Sequence, residues 1–151
     1  MSMIALQARM LRGMDRLGER FGGARVAPHL AVGLRGEREA LFHLRGLGYV
    51  IVARRWKSAR LRGDVDLIAW DGERLCFVEV KTRMGRDAME PAESAVGEEK
   101  QRMLRKMARA YLKGFPRERR DAVQVRFDVV SVYLQPAGAE VEVRKGVFGW
   151  E

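Results

Sequence analysis

The order of the predicted elements indicates a mixed α/β domain in which one short sheet is flanked by helices. Two apolar stretches, residues 63–69 and 75–81, are predicted to be neighbouring strands because an Asp-Gly turn joins them. A long amphipathic stretch at residues 92–113 separates this hairpin from a later strand. The chain has 151 residues, of which 47 % are hydrophobic, and this is enough for a single domain with a real core.

The first element is an amphipathic helix predicted over residues 3–21. Its apolar side chains recur at spacings of three and four, and they are Met3, Leu6, Met10, Met14, Leu17 and Phe21. Such a helix can pack on its own domain or on a partner chain, and a basic one can also lie on a membrane surface. Glycines and a proline around residues 22–28 predict a linker. We therefore expect an N-terminal helix and linker over residues 1–30 and a folded domain over residues 31–151.

A second helix is predicted over residues 36–47, with Gly48 as its stop. Its apolar stripe is formed by Ala40, Leu41, Leu44 and Leu47. Glu37 lies three, four and seven residues from the first three of these positions, so its carboxylate should face inward. Residues 49–53 form the next predicted strand, and a basic loop follows up to residue 62.

The two strands of the hairpin carry charges inside apolar sequence. Side chains alternate along a strand, so Glu79 and Lys81 share one face with Leu75 and Phe77. On the preceding strand Asp66 leads directly into Leu67-Ile68-Ala69. Charges in core strands are costly unless they are paired or bound to a metal.

After the hairpin, a polar loop is predicted over residues 84–91 and a helix over residues 92–113. The apolar stripe of this helix comprises Val96, Met103, Leu104, Met107, Ala108 and Tyr111, and Lys100 falls on it. Residues 123–133 form a long predicted strand. Residues 140–143 form a weaker terminal one, with Val147 and Phe148 beneath it.

The acidic residues and the lysine suggest phosphodiester hydrolysis. That reaction needs an activated water and neutralisation of the charge that develops on phosphate. Mg²⁺ prefers oxygen ligands and needs only one or two carboxylates. Asp66, Glu79 and the Val80 carbonyl could bind one ion, with Lys81 beside the water or phosphate. Glu37 could be an outer ligand, a ligand of a second metal, or a hydrogen-bonding partner of metal-bound water. The alternative is a purely structural cluster in which Glu79 and Lys81 neutralise each other.

Composition favours an anionic partner, because the formal net charge is +9 and the isoelectric point is about 10.4. No apolar run is long enough to span a bilayer, and arginines interrupt the N-terminal apolar positions, so we expect a cytoplasmic protein. The single cysteine, Cys76, is expected to be a small buried hydrophobe. Phosphate contacts are expected from the basic residues around the site, namely Arg54, Arg55, Lys57, Arg60, Arg62, Arg83, Arg86 and Lys100.

At these positions the sequence resembles a known family. The matching segments, in order, are Gly36-Glu37 with Ala40, Gly48-Tyr49, Gly63-Asp64-Val65-Asp66-Leu67-Ile68, Phe77-Val78-Glu79-Val80-Lys81-Thr82-Arg83, Lys100, Ala110-Tyr111-Leu112 and Arg126-Phe127-Asp128-Val129-Val130. Together they resemble the YraN family, also called UPF0102, over roughly residues 34 to 148. That family looks like the PD-(D/E)xK nuclease superfamily, nearest to archaeal Holliday-junction resolvases. Asp64 stands where the family usually has Glu, and Arg55 where it often has Asn.

The resemblance implies a restriction-endonuclease-like αβββαβ core with Glu37, Asp66, Glu79 and Lys81 as catalytic residues. It also implies that Arg38, the basic residue next to Glu37, contacts nucleic acid. It also implies Mg²⁺ or Mn²⁺ as cofactor, and by analogy a homodimer. We therefore expect a metal-dependent endonuclease-like protein acting on DNA, with branched DNA as one candidate substrate. The alternatives are an inactive nucleic-acid-binding module of the same fold, and an assembly or membrane-surface protein acting through its N-terminal helix.

Overall fold

The computed structural model describes residues 28–85 and 96–151. The predicted N-terminal helix, the linker up to residue 27 and most of the loop after the site strand lie outside these residues. The described elements, in chain order, are α1 (Pro28–Gly46), β1 (Val50–Trp56), β2 (Val65–Asp71), β3 (Arg74–Met84), α2 (Glu98–Leu112), α3 (Arg117–Ala122), β4 (Gln124–Gln135) and β5 (Gly138–Phe148).

The five strands form one mixed sheet in the order β1-β2-β3-β4-β5. All neighbouring pairs are antiparallel except β3 and β4, which run parallel from Arg74 opposite Gln124 to Met84 opposite Leu134. The parallel pair needs a crossover connection, and α2 lies within it. This arrangement confirms the predicted mixed α/β class and is compatible with a restriction-endonuclease-like core.

The sheet separates two apolar cores. On one face, Ala40, Leu41 and Leu44 of α1 pack with Cys76 and Val78. On the other face, Leu104, Met107 and Ala108 of α2 pack with Leu75 and Phe77. The predicted alternation of β3 is therefore confirmed, and Cys76 is a buried free thiol. None of the helices in the described part of the chain is long and apolar enough to cross a bilayer.

The hairpin turn is tighter than the sequence suggested. Strand β2 continues to Asp71 and strand β3 begins at Arg74, which leaves Gly72 and Glu73 as a two-residue connection. Gly72 has a φ of 60°, a value that costs glycine little. The longer pairing fixes the register in which Leu67 lies opposite Val78. Asp66 and Glu79 are thereby held on adjacent strands.

Several predicted boundaries were wrong. Pro28 begins α1 instead of lying in a linker, since proline suits the first turn of a helix. Leu47 lies beyond the helix end and is 58 % exposed, so it does not continue the apolar stripe. The short helix α3 was not predicted. The terminal strand β5 is longer than residues 140–143, because pairing with β4 extends it to Phe148.

Candidate active site

Glu79 is the buried acid of the site, at 5 % exposure. Two lysines lie near its carboxylate: Lys81 Nζ is 3.7 Å from Oε1, and Lys100 Nζ is 3.5 Å from Oε2. Both distances are those of loose ion pairs. Within the described residues, Glu79 Oε2 is the one buried side-chain polar atom that lacks a hydrogen-bond partner. A buried carboxylate oxygen without a hydrogen bond is costly, so this oxygen is available for a ligand.

Asp66, on β2, is hydrogen-bonded to the backbone of β3, the strand that carries Glu79. Its Oδ2 accepts a hydrogen bond of 2.8 Å from the Val80 N–H. Burial, and next the negative charge of Glu79, raise the pKa of the Asp66 carboxyl to about 7, although the Val80 N–H opposes this shift. Two carboxylates that repel each other in a partly dry site favour either a shared proton or a bound cation.

Glu37 completes the acidic group from α1. Its charge is a further contribution that raises the pKa of Asp66, so the three carboxylates share one electrostatic environment. Glu37 is not free, however: its Oε2 accepts a 2.8 Å hydrogen bond from Arg55 Nε. The predicted inward placement of Glu37 agrees with a side chain that is 19 % exposed.

A second charged pair in a core strand shows what a structural cluster looks like in this molecule. Arg126 and Asp128 on β4 are also two residues apart, and Asp128 is 1 % exposed. Arg126 donates to Asp128 at 2.8 and 2.9 Å, to Asp71 at 2.8 Å and to the Tyr49 hydroxyl at 3.0 Å. The Gly146 N–H also donates to Asp128. Hydrogen bonding to Asp128 raises the pKa of Arg126 further above its usual range, and hydrogen bonding from Arg126 lowers that of Asp71.

The sheet therefore contains two kinds of charged cluster, which differ in how completely they are hydrogen-bonded. The Arg126 network is closely hydrogen-bonded and satisfied. Around Glu79 the distances exceed 3.4 Å and one oxygen has no hydrogen bond. The sequence pattern alone gave no warning of this difference, because Arg126-Phe127-Asp128 alternates as Glu79-Val80-Lys81 does. The Arg126 network is therefore a feature that the sequence reasoning missed.

A divalent cation fits the donor set at Asp66 and Glu79. Over residues 28–85 and 96–151, no group of three or more His, Cys, Asp or Glu side chains is arranged to hold a metal. Mg²⁺ and Mn²⁺ do not require three side chains, because water and backbone carbonyls complete their coordination. Asp66 and Glu79 on adjacent strands, with the backbone of Val80 between them, are the oxygen-bearing groups that suit such an ion.

The predicted phosphate-binding residues fall into three groups. Arg54, Lys57, Arg60 and Arg62 are exposed on β1 and its loop to β2, at the end of the sheet that carries Asp66. Arg38 and Arg83 are half-buried on α1 and β3. Arg55 and Lys100 lie within the acidic site itself, and Arg86 lies outside the described residues.

Close packing fixes the position of the basic loop. Gly63 approaches α2 so closely that an added Cβ would lie 2.3 Å from Met103 Sδ. The Trp56 ring meets Tyr111 edge to face at a centroid distance of 5.3 Å. Trp56 therefore packs against the domain, and this contact holds the start of the loop against α2.

Comparison with known proteins gives a consistent match. A family model described as "Uncharacterised protein family UPF0102" matches residues 36–132. A UPF0102 protein of Koribacter versatilis is 43 % identical over 120 residues, which cover 80 % of each chain. One from Solibacter usitatus is 46 % identical over 113 residues, 75 % of this chain and 82 % of the relative. One from Syntrophus aciditrophicus is 36 % identical over 124 residues, 82 % and 93 % respectively.

Proposed function

Starting from the fact that this chain belongs to the UPF0102 family, we propose that it is a metal-dependent endonuclease that hydrolyses phosphodiester bonds in DNA. The observation that carries the proposal is the buried Glu79 oxygen without a hydrogen bond, next to Asp66 and two lysines. The other buried carboxylate among the described residues, Asp128, accepts three hydrogen bonds.

Each residue of the site has a distinct task in this proposal. Asp66 and Glu79 hold Mg²⁺ or Mn²⁺ through carboxylate oxygens, and the Val80 carbonyl is the third protein oxygen. The bound ion supplies an activated water and neutralises charge on phosphate. The Val80 N–H fixes Asp66 against β3. Lys81, which is 35 % exposed and only loosely paired, donates to the attacking water or to the phosphate oxygens.

The basic residues bring the substrate to this acidic centre. Phosphate is repelled by three carboxylates, so cations must flank the approach. Arg54, Lys57, Arg60 and Arg62 do so from β1 and its loop, and Lys100 does so from α2. Their number and spread suit a continuous phosphate backbone better than a small phosphate ester. DNA, including branched DNA, is accordingly the proposed substrate.

The test is cleavage of a labelled panel of duplex, flap, junction and single-stranded DNA with Mg²⁺, Mn²⁺ or EDTA. We expect cutting that requires metal. Lys81→Met should lower the rate at least 100-fold, as loss of one electrostatic stabiliser typically does. Its melting temperature should change little, because Lys100 remains 3.5 Å from Glu79 and still compensates its charge.

Lys106→Met is the matched control, since Lys106 is exposed on α2 outside the acidic group. It removes the same ammonium from a surface position and should cut at the wild-type rate. Wild-type cleavage by a folded Lys81→Met would remove the catalytic role of Lys81. Tight DNA binding without cleavage of any panel member would favour the inactive binding module instead.

A further inference from the structure

The pairing of Glu37 with Arg55 sets it apart from the other two carboxylates. The 2.8 Å bond from Arg55 Nε to Glu37 Oε2 is a charge-assisted hydrogen bond, which is roughly twice as strong as a neutral one. Glu79 has only ammonium groups at 3.5 and 3.7 Å, on flexible stems. Asp66 is hydrogen-bonded to a backbone N–H. Of the three acids, Glu37 is the one whose carboxylate accepts a hydrogen bond from a cationic side chain.

The backbone of Arg55 is held in an unfavourable conformation. Its φ is 45°, and it is the one non-glycine residue with positive φ in the described part of the chain. Such a conformation costs roughly 1–3 kcal/mol and persists only where the surroundings enforce it. It occurs next to the acidic group: Trp56 pairs with Val65 and Arg54 with Leu67, which places Arg55 opposite Asp66.

Arg55 already compensates the negative charge of Glu37 and occupies its Oε2, so a second metal ion would gain less from this carboxylate than from an unpaired one. In two-metal nuclease sites the ions lie about 3.5–4 Å apart and share neighbouring acids. Glu37 is the acid available here for a second ion, and Arg55 already neutralises it. The sequence left three roles open for Glu37, and direct ligation of a second metal is the one that this contact opposes.

We propose that Arg55 acts as a built-in cation for Glu37, so that the site takes a single divalent ion, held by Asp66 and Glu79. The inference rests on the proposed metal-dependent function and deepens it. Arg55 is then a positioning residue, not only a phosphate contact: its Nε binds Glu37 while its remaining N–H groups can still face a phosphate. Because the Arg55 side chain is 44 % exposed, it can bind Glu37 and a phosphate at the same time.

The test is the stoichiometry of Mn²⁺ binding, measured by isothermal titration calorimetry on the full-length protein. The number of bound ions is checked by the decrease in the electron paramagnetic resonance signal of free Mn²⁺. The wild type should bind one ion. Arg55→Asn should bind two, the second more weakly, because Glu37 is then unpaired. Asparagine is chosen because it tolerates positive φ. Arg55→Lys retains a positive charge and should bind one ion.

Two further variants test whether the second ion depends on the loss of the Arg55 charge and on the Glu37 carboxylate. Arg55→Gly removes the charge and the backbone strain together, so it should fold at least as well as the wild type and bind two ions. The double variant Arg55→Asn with Glu37→Gln should return to one ion, because it lacks the freed carboxylate. Equal unfolding temperatures in EDTA exclude loss of structure as the cause.

The outcomes distinguish this inference from the proposed function. Two ions in the wild type, or one ion in Arg55→Asn and Arg55→Gly, would overturn the role of Arg55 and leave the metal site standing. No Mn²⁺ bound by the wild type would overturn both proposals.

Discussion

At the scale of single residues, the position of a charge matters less than how completely its hydrogen bonds are satisfied. Arg126 and Glu79 both lie in core strands, yet only Arg126 is fully bonded. Sequence alternation predicted that Glu79 and Lys81 share one face of their strand, because side chains alternate with a period of two, and their charged groups lie 3.7 Å apart. It could not reveal the Glu37–Arg55 bond or the approach of Lys100 to Glu79, since both depend on packing between distant segments.

Asp66 provides a residue-scale prediction about pH. Its pKa is about 7 in the folded chain against about 3.8 as the ordinary value, so the folded state holds a proton that the unfolded state releases. The stabilising contribution of this proton is complete below about pH 3.8. It declines as the pH rises and is gone above about pH 7. Glu79 and Glu37 face this group with negative charge, and Lys100 faces it with positive charge.

The measurement is urea unfolding in EDTA at pH 5 and pH 8 for the wild type and Asp66→Asn. Relative to the variant, the wild type should lose roughly 1–3 kcal/mol over this range, since one pKa unit corresponds to about 1.4 kcal/mol. Saturating Mn²⁺ at pH 8 should restore stability to the wild type alone. Parallel pH profiles for the two proteins would contradict the raised pKa.

At the scale of the elements, α1 meets β3 at a point where no side chain fits. A Cβ added to Gly36 would lie 1.8 Å from Thr82 Oγ1, and Gly36 directly precedes Glu37. Thr82 follows Lys81 and is β-branched, so it cannot easily turn away. The spacing of helix and strand at the site therefore depends on this glycine.

The prediction compares two glycines of the same helix. Gly36→Ala should destabilise the protein by about 1–3 kcal/mol through overpacking and should reduce cleavage, because α1 and Glu37 must move. Gly33→Ala, which meets nothing within 4 Å, should be neutral or stabilise by about 0.5–1 kcal/mol. Thermal unfolding and cleavage rates on the same preparations decide. Adding Thr82→Ala to Gly36→Ala should restore part of the loss, and equal behaviour of the two single variants would refute the close contact.

At the scale of the whole molecule, the sequence predicted the mixed sheet and the order of its helices and strands, but not the small helix α3 or the extent of the last strand. The sequence predicted only a weak terminal strand over residues 140–143, where glutamates alternate with valines. Strand β5 is nevertheless long, since it is stabilised by pairing with β4 along its length. The small helix α3 has no buried residue, so it has no apolar pattern from which it could be predicted.

Net charge supports a whole-molecule prediction about binding. A chain of formal charge +9 that contacts a phosphate backbone should bind DNA with log K falling linearly with log salt. Arg54→Ala with Arg60→Ala should reduce the slope by about 2, since each phosphate contact contributes about 0.9. The effect should be alike for all sequences, because phosphate contacts carry no base information.

The control removes equal charge elsewhere. Arg74 lies at the other end of β3 from the site, and Arg144 is 59 % exposed on β5. Arg74→Ala with Arg144→Ala should leave the slope within experimental error of the wild type. If the two double variants reduced the salt slope equally, net charge would determine binding and Arg54 and Arg60 would have no specific role.

The parallel pairing of β3 with β4 has a consequence for the order of folding. Asp66 and Glu79 meet in a local hairpin, whereas Arg74 and Gln124 are paired across about fifty residues of chain. Local pairs form early and distant pairs late. We therefore expect the carboxylates to approach each other while still hydrated, and the later docking of α2 and β4 to exclude water from them. Charge repulsion should then slow this last step, so Asp66→Asn should refold faster than the wild type in EDTA. Stopped-flow traces in which only the unfolding rate changes would argue against that order.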